Sequence, residues 1–227
     1  MFKPVVVSVV LGLASVVASP AFAQSHKVEI SGWGGWTFSD GVSGQTIQAG
    51  DGKFYNRIDP KDSGSFGLSV GAYLANKAEV GFMYGRQFSS LVLGGQDSRD
   101  LGSMAVSTYH GYVGHNFGEH DSKLRPFAFI GLGATHFGTV HSSLNGTDRL
   151  IGGQTQFSTK WGGGIKYFPA PKVGLRVALT WTPTYIKSDA AGWWCDPFWG
   201  YCYVVGSSQY SNQFEFSGGV TIRFEEQ

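Results

Sequence analysis

The feature that most constrains this chain is a repeated alternation of bulky apolar residues with small or polar ones. In the last segment, Phe214, Phe216, Val220, Ile222 and Phe224 take even positions, and polar or small residues fill the odd positions. A period of two residues indicates a β-strand with two different faces. The alternation predicts eight strands, at residues 28–38, 65–74, 80–88, 105–117, 127–137, 157–167, 173–182 and 213–224.

The connections between the predicted strands alternate in length. The long ones are residues 40–64, 89–103, 141–153 and 188–211, and the short ones are 76–77, 118–124 and 169–172. Long loops at one rim and tight turns at the other are typical of an outer-membrane barrel. The predicted strands are also long enough to span a membrane, because a tilted strand needs about 9 to 11 residues to cross the hydrocarbon layer.

A secreted soluble β-sandwich or lipocalin-like barrel is the alternative, because it would also be all-β and alternating. Its outward face would have to carry solubilising charge. Here one face is bulky and aromatic and the other is mostly Gly, Ser and Thr, with 34 glycines and only 15% charged residues in the chain. We therefore predict an inside-out arrangement, with the small residues in a crowded interior, in a sheet that closes because lipid cannot satisfy free strand edges.

The first 23 residues have the features of a secretory signal peptide. Lys3 precedes an apolar stretch at residues 5–17, and the segment ends in an Ala-x-Ala pattern at Ala21 and Ala23. A retained membrane anchor is the alternative, but the stretch is shorter than the roughly 20 residues of a spanning helix. We predict cleavage after Ala23 and one barrel domain at residues 24–227. Loss of Lys3 takes the formal net charge from +1 to zero, which leaves no basic field for nucleic acid.

Three stretches resemble a known family. They are RPFAFIGLGA at residues 125–134, GGGIKYF at 162–168 with VGLR at 173–176, and FSGGVTIRF at 216–224. They are similar to the small eight-stranded outer-membrane barrels of the OmpA-domain, OmpX and opacity-adhesin type. The resemblance implies an eight-stranded antiparallel up-and-down transmembrane β-barrel in the bacterial outer membrane. It also implies outer-membrane lipid, lipopolysaccharide and the outer-membrane assembly machinery as partners, and no catalytic motif, metal or cofactor.

Charged residues on the predicted interior face gather towards one mouth of the barrel. Glu29, Glu79, Lys166, Arg176 and Arg223 lie near the strand ends on the tight-turn side, and Lys160 and Glu215 lie further in. Buried charges need partners, so we predict an ion-pair network, with Glu29 and Arg223 paired because closure makes the first and last strands neighbours. A structural plug of the lumen and a proton or ion path are the two interpretations. Eight strands enclose only enough space for side chains or one small ligand, which favours the plug.

The last long loop combines two cysteines with a run of aromatic residues. Cys195 and Cys202 are predicted to form a disulfide, since a secreted chain meets an oxidising periplasm. The aromatic residues of the loop are Trp193, Trp194, Phe198, Trp199, Tyr201 and Tyr203. These rings either sit at the level of the lipid headgroups or pack over the barrel mouth, or else they recognise a glycan, a lipid or a host surface.

Together, these patterns predict a non-enzymatic outer-membrane barrel that presents long extracellular loops for envelope integrity, surface recognition or adhesion. The alternative is a narrow pore or an OmpW-like passage for small or apolar molecules.

Overall fold

The structure is a computed structural model that describes residues 27–48, 52–74, 77–118, 122–144, 147–151, 153–186, 194–195, 202–203 and 209–224. The predicted signal peptide lies outside these residues. No helix long and apolar enough to cross a membrane occurs in this described part of the chain.

Eight long antiparallel strands form the main body. They are β1 (Val28–Asp40), β4 (Ser63–Tyr73), β5 (Ala78–Gly95), β6 (Arg99–Asn116), β7 (Leu124–Phe137), β10 (Gln154–Tyr167), β11 (Val173–Ile186) and β14 (Gln209–Phe224). Each pairs with the next in this order. The sheet closes because β1 also pairs with β14, from Val28 opposite Phe224 to Asp40 opposite Asn212. The predicted closed, eight-stranded antiparallel barrel is confirmed.

The two faces of the barrel wall follow the alternation in the sequence. Along β11, Val173, Leu175, Val177 and Leu179 are exposed on the outside, whereas Arg176 is buried inside. The segment at 127–137 is ambiguous by hydrophobicity alone, but the shared parity of Gly131, Gly133 and Thr135 places these residues on the interior face. Thr135 is fully buried and Leu132 on the opposite face is exposed, as that parity predicts.

Interior glycines let neighbouring strands and side chains approach closely. A Cβ added at Gly133 would lie 1.8 Å from the carbonyl oxygen of Tyr109, and one at Gly35 would lie 2.4 Å from that of Phe216. In the outward-facing position of Gly111, an added Cβ would meet nothing within 4 Å. The richness in Gly therefore serves mainly a narrow, crowded lumen.

Much of what the sequence predicts as long loops is folded into further strands. These are β2 (Val42–Gln48), β3 (Phe54–Pro60), β8 (Val140–Leu144), β9 (Thr147–Ile151), β12 (Trp194–Cys195) and β13 (Cys202–Tyr203). β3 pairs with the upper part of β5, and β8 pairs with β6. The expectation of simple loops at 40–64, 89–103 and 141–153 is therefore wrong. Apolar residues in these segments bury one another above the barrel, which stabilises an extension of its wall.

The extension defines two ends of the barrel. We call the end with the short connections, where β1 begins and β14 ends, the turn end, and the opposite end, with β2, β3, β8 and β9, the loop end. Gly118 lies in a connection at the turn end with a φ of 99°, a conformation that favours glycine.

Candidate functional site: the lumen of the barrel

A cluster of charged side chains fills the lumen at the turn end. We call it the inner ion cluster, and it consists of Glu29, Glu79, Arg125, Lys166 and Arg223. Glu29 is its centre: the Arg223 Nε donates to Glu29 Oε1 at 2.8 Å, and Lys166 Nζ donates to the other carboxylate oxygen. The register explains the first contact, because Glu29 on β1 lies opposite Arg223 on β14.

Glu79 is the second acid of the inner ion cluster. Lys166 Nζ bridges the two acids, since it also lies 3.1 Å from Glu79 Oε2. The Tyr112 hydroxyl and the Asn116 amide also donate to the Glu79 carboxylate, the latter at 3.1 Å. The buried acid therefore has both a cationic partner and neutral donors, as a charge removed from water requires.

Arg125 is the member of the inner ion cluster that sequence reasoning missed. It is fully buried, with Nη1 3.8 Å from Glu29 Oε1 and 3.4 Å from the Tyr73 hydroxyl. The Tyr73 hydroxyl in turn donates to Glu29 at 2.7 Å. The predicted strand begins at Phe127, whereas β7 begins three residues earlier, at Leu124. Arg125 has the same parity as Phe127, so extending that strand back by two residues would have placed Arg125 inside.

Arg176 lines the same small cavity as Glu79 and Lys166 but makes no ion pair with either acid of the inner ion cluster. Its guanidinium carbon is 4.7 Å from the Trp33 ring centroid and 5.0 Å from that of Phe127, and no carboxylate of a described residue lies within ion-pair distance of it. The structure thus brings Glu29, Glu79, Lys166 and Arg223 together. Arg176 instead forms cation–π contacts one layer further in, where aromatic faces hold a cation in place of a carboxylate.

An aromatic layer closes the middle of the lumen. It consists of Trp33, Tyr112, Phe127 and Phe129 with Met83 and Ala178. Trp33 Nε1 donates to Glu215 at 2.8 Å, and the Ser65 hydroxyl lies 3.3 Å from the same carboxylate. Lys160, which is also buried, lines a small cavity together with Glu215. Beyond the inner ion cluster, the interior is therefore a packed layer of aromatic rings. Polar groups beside this layer are hydrogen-bonded to one another.

A second apolar group fills the lumen at the loop end. We call it the outer apolar cluster, and its residues are Val42, Tyr55, Ile58, Leu91, Leu93, Leu101, Met104, Val106, Phe137, Val140 and Ile186. The cluster joins the added strands β2 and β3 to the upper parts of β5, β6, β7 and β11. Sequence reasoning missed it because six of its eleven members lie in segments predicted as loops. The signal was present as short alternating runs such as Leu91 and Leu93.

Little open space remains between these layers. Two cavities of about 20 Å³ each lie inside the barrel, one beside Glu79, Tyr112 and Lys166, the other beside Lys160 and Glu215. A cavity of this size holds about one water molecule. Within the described residues, no group of three or more His, Cys, Asp or Glu side chains is placed to hold a metal ion.

The predicted disulfide and aromatic residues belong to the last loop. The backbones of Cys195 and Cys202 lie directly opposite each other in the pair β12–β13, and so do those of Trp194 and Tyr203. The Cα atoms of directly paired residues on antiparallel strands lie about 4.5 to 5.5 Å apart, within the range that a disulfide spans, and the bond stays a prediction. Trp193, Phe198, Trp199 and Tyr201 lie outside the described residues.

Comparison with known proteins rests on structure alone, because no family model matches the sequence and no curated protein matches it significantly. Outer membrane protein OprG from Pseudomonas aeruginosa aligns with a TM-score of 0.62 at 14% identity, over 89% of this chain and 97% of OprG. Neisserial surface protein A aligns with a TM-score of 0.50 at 16% identity, over 88% and 97% of the two chains. Outer membrane protein AlkL, determined in lipid bilayers, gives a TM-score of 0.50 at 12% identity, over 92% and 94%.

The fold is that of the small outer-membrane β-barrels. The resemblance seen in the sequence is thereby confirmed at the level of the fold. The apolar outer wall and charged lumen agree with it, since a membrane barrel alternates lipid-facing and lumen-facing residues.

Proposed function

We propose that this chain is a non-enzymatic barrel of the bacterial outer membrane that presents its loop end for envelope integrity, surface recognition or adhesion. The turn end then faces the periplasm and the loop end faces outward. The observation that carries the proposal is the filled lumen: the inner ion cluster, the aromatic layer and the outer apolar cluster block it at three heights. With the interior occupied, the surfaces left for partners are the barrel wall and the loop end.

The loop end has the features of a presented surface. Strands β2 and β3 extend the wall beyond β4, and the Cys195–Cys202 segment adds a separate two-stranded pair. The outer apolar cluster supports the added strands from inside, so that they form a rigid platform. A glycan or a host surface is the partner chemistry that the aromatic residues of the last loop favour, because rings stack on sugars and supply large contact areas.

Two measurements test the membrane location and the closed lumen. The protein should fractionate with outer membranes, and its band should shift on heating in detergent gels, as closed barrels typically do. In planar bilayers or liposomes, the full chain should show no defined single-channel step. A reproducible conductance step would contradict the closed lumen.

Substitution of the loop tryptophans tests recognition. The variant Trp193→Ser, Trp194→Ser, Trp199→Ser should lower binding of cells or glycan arrays to the protein. The matched control makes the same change at three tryptophans of the barrel wall, Trp36, Trp161 and Trp181, and should leave binding unchanged once insertion is verified by the heat shift. If the loop variant binds as well as the unmodified protein, recognition by these rings is wrong and headgroup anchoring remains as their role.

Passage of small or apolar molecules is the second candidate, and one observation favours it. An aromatic recess of about 680 Å³ opens on the outer wall between β10, β11 and β14, beside Trp161, Trp181 and Tyr210. Uptake of an apolar fluorescent probe into liposomes, with and without the protein, tests this candidate. Uptake that depends on the protein would support passage.

A further inference from the structure

The outer wall of the barrel, which is mostly apolar, carries a cation that makes no ion pair with a described residue. Arg86 on β5 is exposed, with its guanidinium carbon 5.9 Å from the ring centroid of Phe88. No carboxylate of a described residue lies within 4 Å of its guanidinium. Arginine on a lipid-facing wall is costly unless its head reaches the interface and finds a partner there. Arg86 therefore faces the membrane side without an anionic partner among the described residues.

The height of Arg86 places it at the outer edge of the membrane. Arg86 is eight residues beyond Ala78, where β5 starts at the turn end. At about 3.4 Å per residue and a strand tilt near 40°, this is about 20 Å above the turn end. The apolar band of an outer-membrane barrel is about 25 Å tall, so Arg86 lies near the level of the outer-leaflet headgroups. Phe88, which the guanidinium approaches, is two residues closer to the loop end.

Polar groups continue from Arg86 across the neighbouring strands. Arg86 is paired with Ser107, Ser107 with His136, and His136 with Thr155. His136 Nδ1 and Thr155 Oγ1 share a hydrogen bond of 2.8 Å, and the other ring nitrogen makes no hydrogen bond to a described residue. Arg86, Ser107 and His136 line one recess of about 490 Å³ with Ser103 and Thr139. Donors thus surround a space that has no acidic residue in its lining.

The wall below this recess can receive a chain of hydrocarbon. Tyr84 and Tyr109 lie just beneath, with their ring centroids 5.2 Å apart. The next outward position on β6 is Gly111, between Phe82 and Leu132 on the adjacent strands. Gly111 has no side chain, and a Cβ added there would meet nothing within 4 Å, so the wall has an open position between the exposed side chains of Phe82 and Leu132.

From this arrangement we infer that the recess at Arg86 and His136 is a binding site for the phosphorylated headgroup of an outer-leaflet lipid, with one acyl chain on the apolar wall below it, over Gly111. The inference rests on the proposed membrane location. Charge decides the chemistry of the occupant, because guanidinium and imidazole donors without a carboxylate suit a phosphate, and Arg binds phosphate through paired donors. The exposed apolar wall directly below the recess decides that the phosphate is carried by a lipid.

Selective binding of a phosphorylated lipid by the full chain is the first test. The protein is placed in micelles of an uncharged maltoside detergent, and diphosphoryl lipid A, dephosphorylated lipid A or inorganic phosphate is titrated and followed by native mass spectrometry. We expect the diphosphoryl lipid to bind at least about tenfold more tightly than the dephosphorylated one. Equal affinity for the two lipids, or equally tight binding of inorganic phosphate alone, would overturn the inference.

Variants then locate the site. Arg86→Gln should weaken binding of the diphosphoryl lipid by about tenfold to a hundredfold, the range for a lost charged hydrogen bond, and Arg86→Lys should retain part of it. Lys123→Gln removes one charge from an exposed residue at the turn end and should bind as the unmodified protein does. Undiminished binding by Arg86→Gln would overturn the assignment.

The folding state of each variant is checked by the heat-dependent band shift. If Arg86→Gln fails to fold, the comparison of the two lipids on the unmodified protein decides alone. If the barrel inserts but binds diphosphoryl and dephosphorylated lipid A equally well, only this inference is refuted. If the chain does not insert into a membrane at all, the proposed membrane location is refuted instead.

Discussion

Neutralising Glu29 tests whether the inner ion cluster holds the barrel together. Glu29 accepts from Arg223 at 2.8 Å and from Tyr73 at 2.7 Å, pairs with Lys166, and has Arg125 at 3.8 Å. Glu29→Gln keeps the shape of the side chain. It removes one of two acids that face three bases, and it turns an amide NH₂ towards cations that need an acceptor.

The structure sets the size of the effect. Removing one partner of a buried ion pair costs about 3–5 kcal/mol, because the other charge stays buried without compensation. Lys166 keeps Glu79 as a partner at 3.1 Å, whereas Arg223 loses the carboxylate to which its Nε donates at 2.8 Å. We expect Glu29→Gln to lower the free energy of unfolding by about 3–5 kcal/mol. This is a large fraction of the total free energy of unfolding of a typical protein, which is roughly 5–15 kcal/mol.

The measurement is a urea titration of the protein folded in lipid vesicles. The folded fraction is followed by tryptophan fluorescence and by the band shift of unboiled samples, with unfolding and refolding branches compared to establish equilibrium. The matched control is Asp97→Asn, which makes the same chemical change in an exposed pair, where Asp97 lies 3.2 Å from Lys53. An exposed pair contributes at most about 1 kcal/mol, so the control should unfold close to the unmodified protein.

A double variant separates lost pairing from a misfolded site. Glu29→Gln with Arg223→Gln removes both members of the pair that β1 and β14 bring opposite each other, and should recover about 1–3 kcal/mol relative to the sum of the single changes. If Glu29→Gln costs no more than Asp97→Asn, the claim that the inner ion cluster stabilises the barrel is refuted.

Two further predictions concern the wall and the last loop. Gly133→Ala should lower the free energy of unfolding by at least about 1–3 kcal/mol, because the new Cβ would lie 1.8 Å from the Tyr109 carbonyl oxygen. Gly111→Ala, with nothing within 4 Å, should be tolerated in the same urea titration, and equal losses would contradict the close approach of strands in the lumen. Cys195 and Cys202 should both resist alkylation until a reductant is added. In the Cys195→Ser variant, Cys202 should be alkylated without a reductant. Alkylation of both cysteines in the untreated protein would exclude the disulfide.

Several elements of the fold could be predicted because they depend on local order along the chain. The alternation of Phe214, Phe216 and their neighbours assigns each residue of β14 to one face, and the same rule holds through β11. The strands beyond the wall were missed for the opposite reason. β3 is held by pairing with β5 and by burial of Tyr55 and Ile58 in the outer apolar cluster, and neither partner is adjacent in sequence.

In the lumen, too, the side on which a residue lies could be predicted from the sequence, whereas its contacts could not. Parity alone places Glu29, Glu79, Lys166 and Arg223 inside, and it would have placed Arg125 there had the strand been extended by two residues. The contacts among them depend on how far each strand is shifted against its neighbours. Arg176 has the right parity, yet it faces the rings of Trp33 and Phe127, because its position along β11 puts it above the level of Glu29.

The sequence by itself determined that this chain forms a closed sheet with an apolar outside and a polar inside, because the side chains of a strand alternate between its two faces. The tertiary structure decided which charges meet, where the lumen closes, and that Arg86 shares one recess with Ser107 and His136. Those outcomes depend on the register between strands, which all the pairings around the barrel fix together.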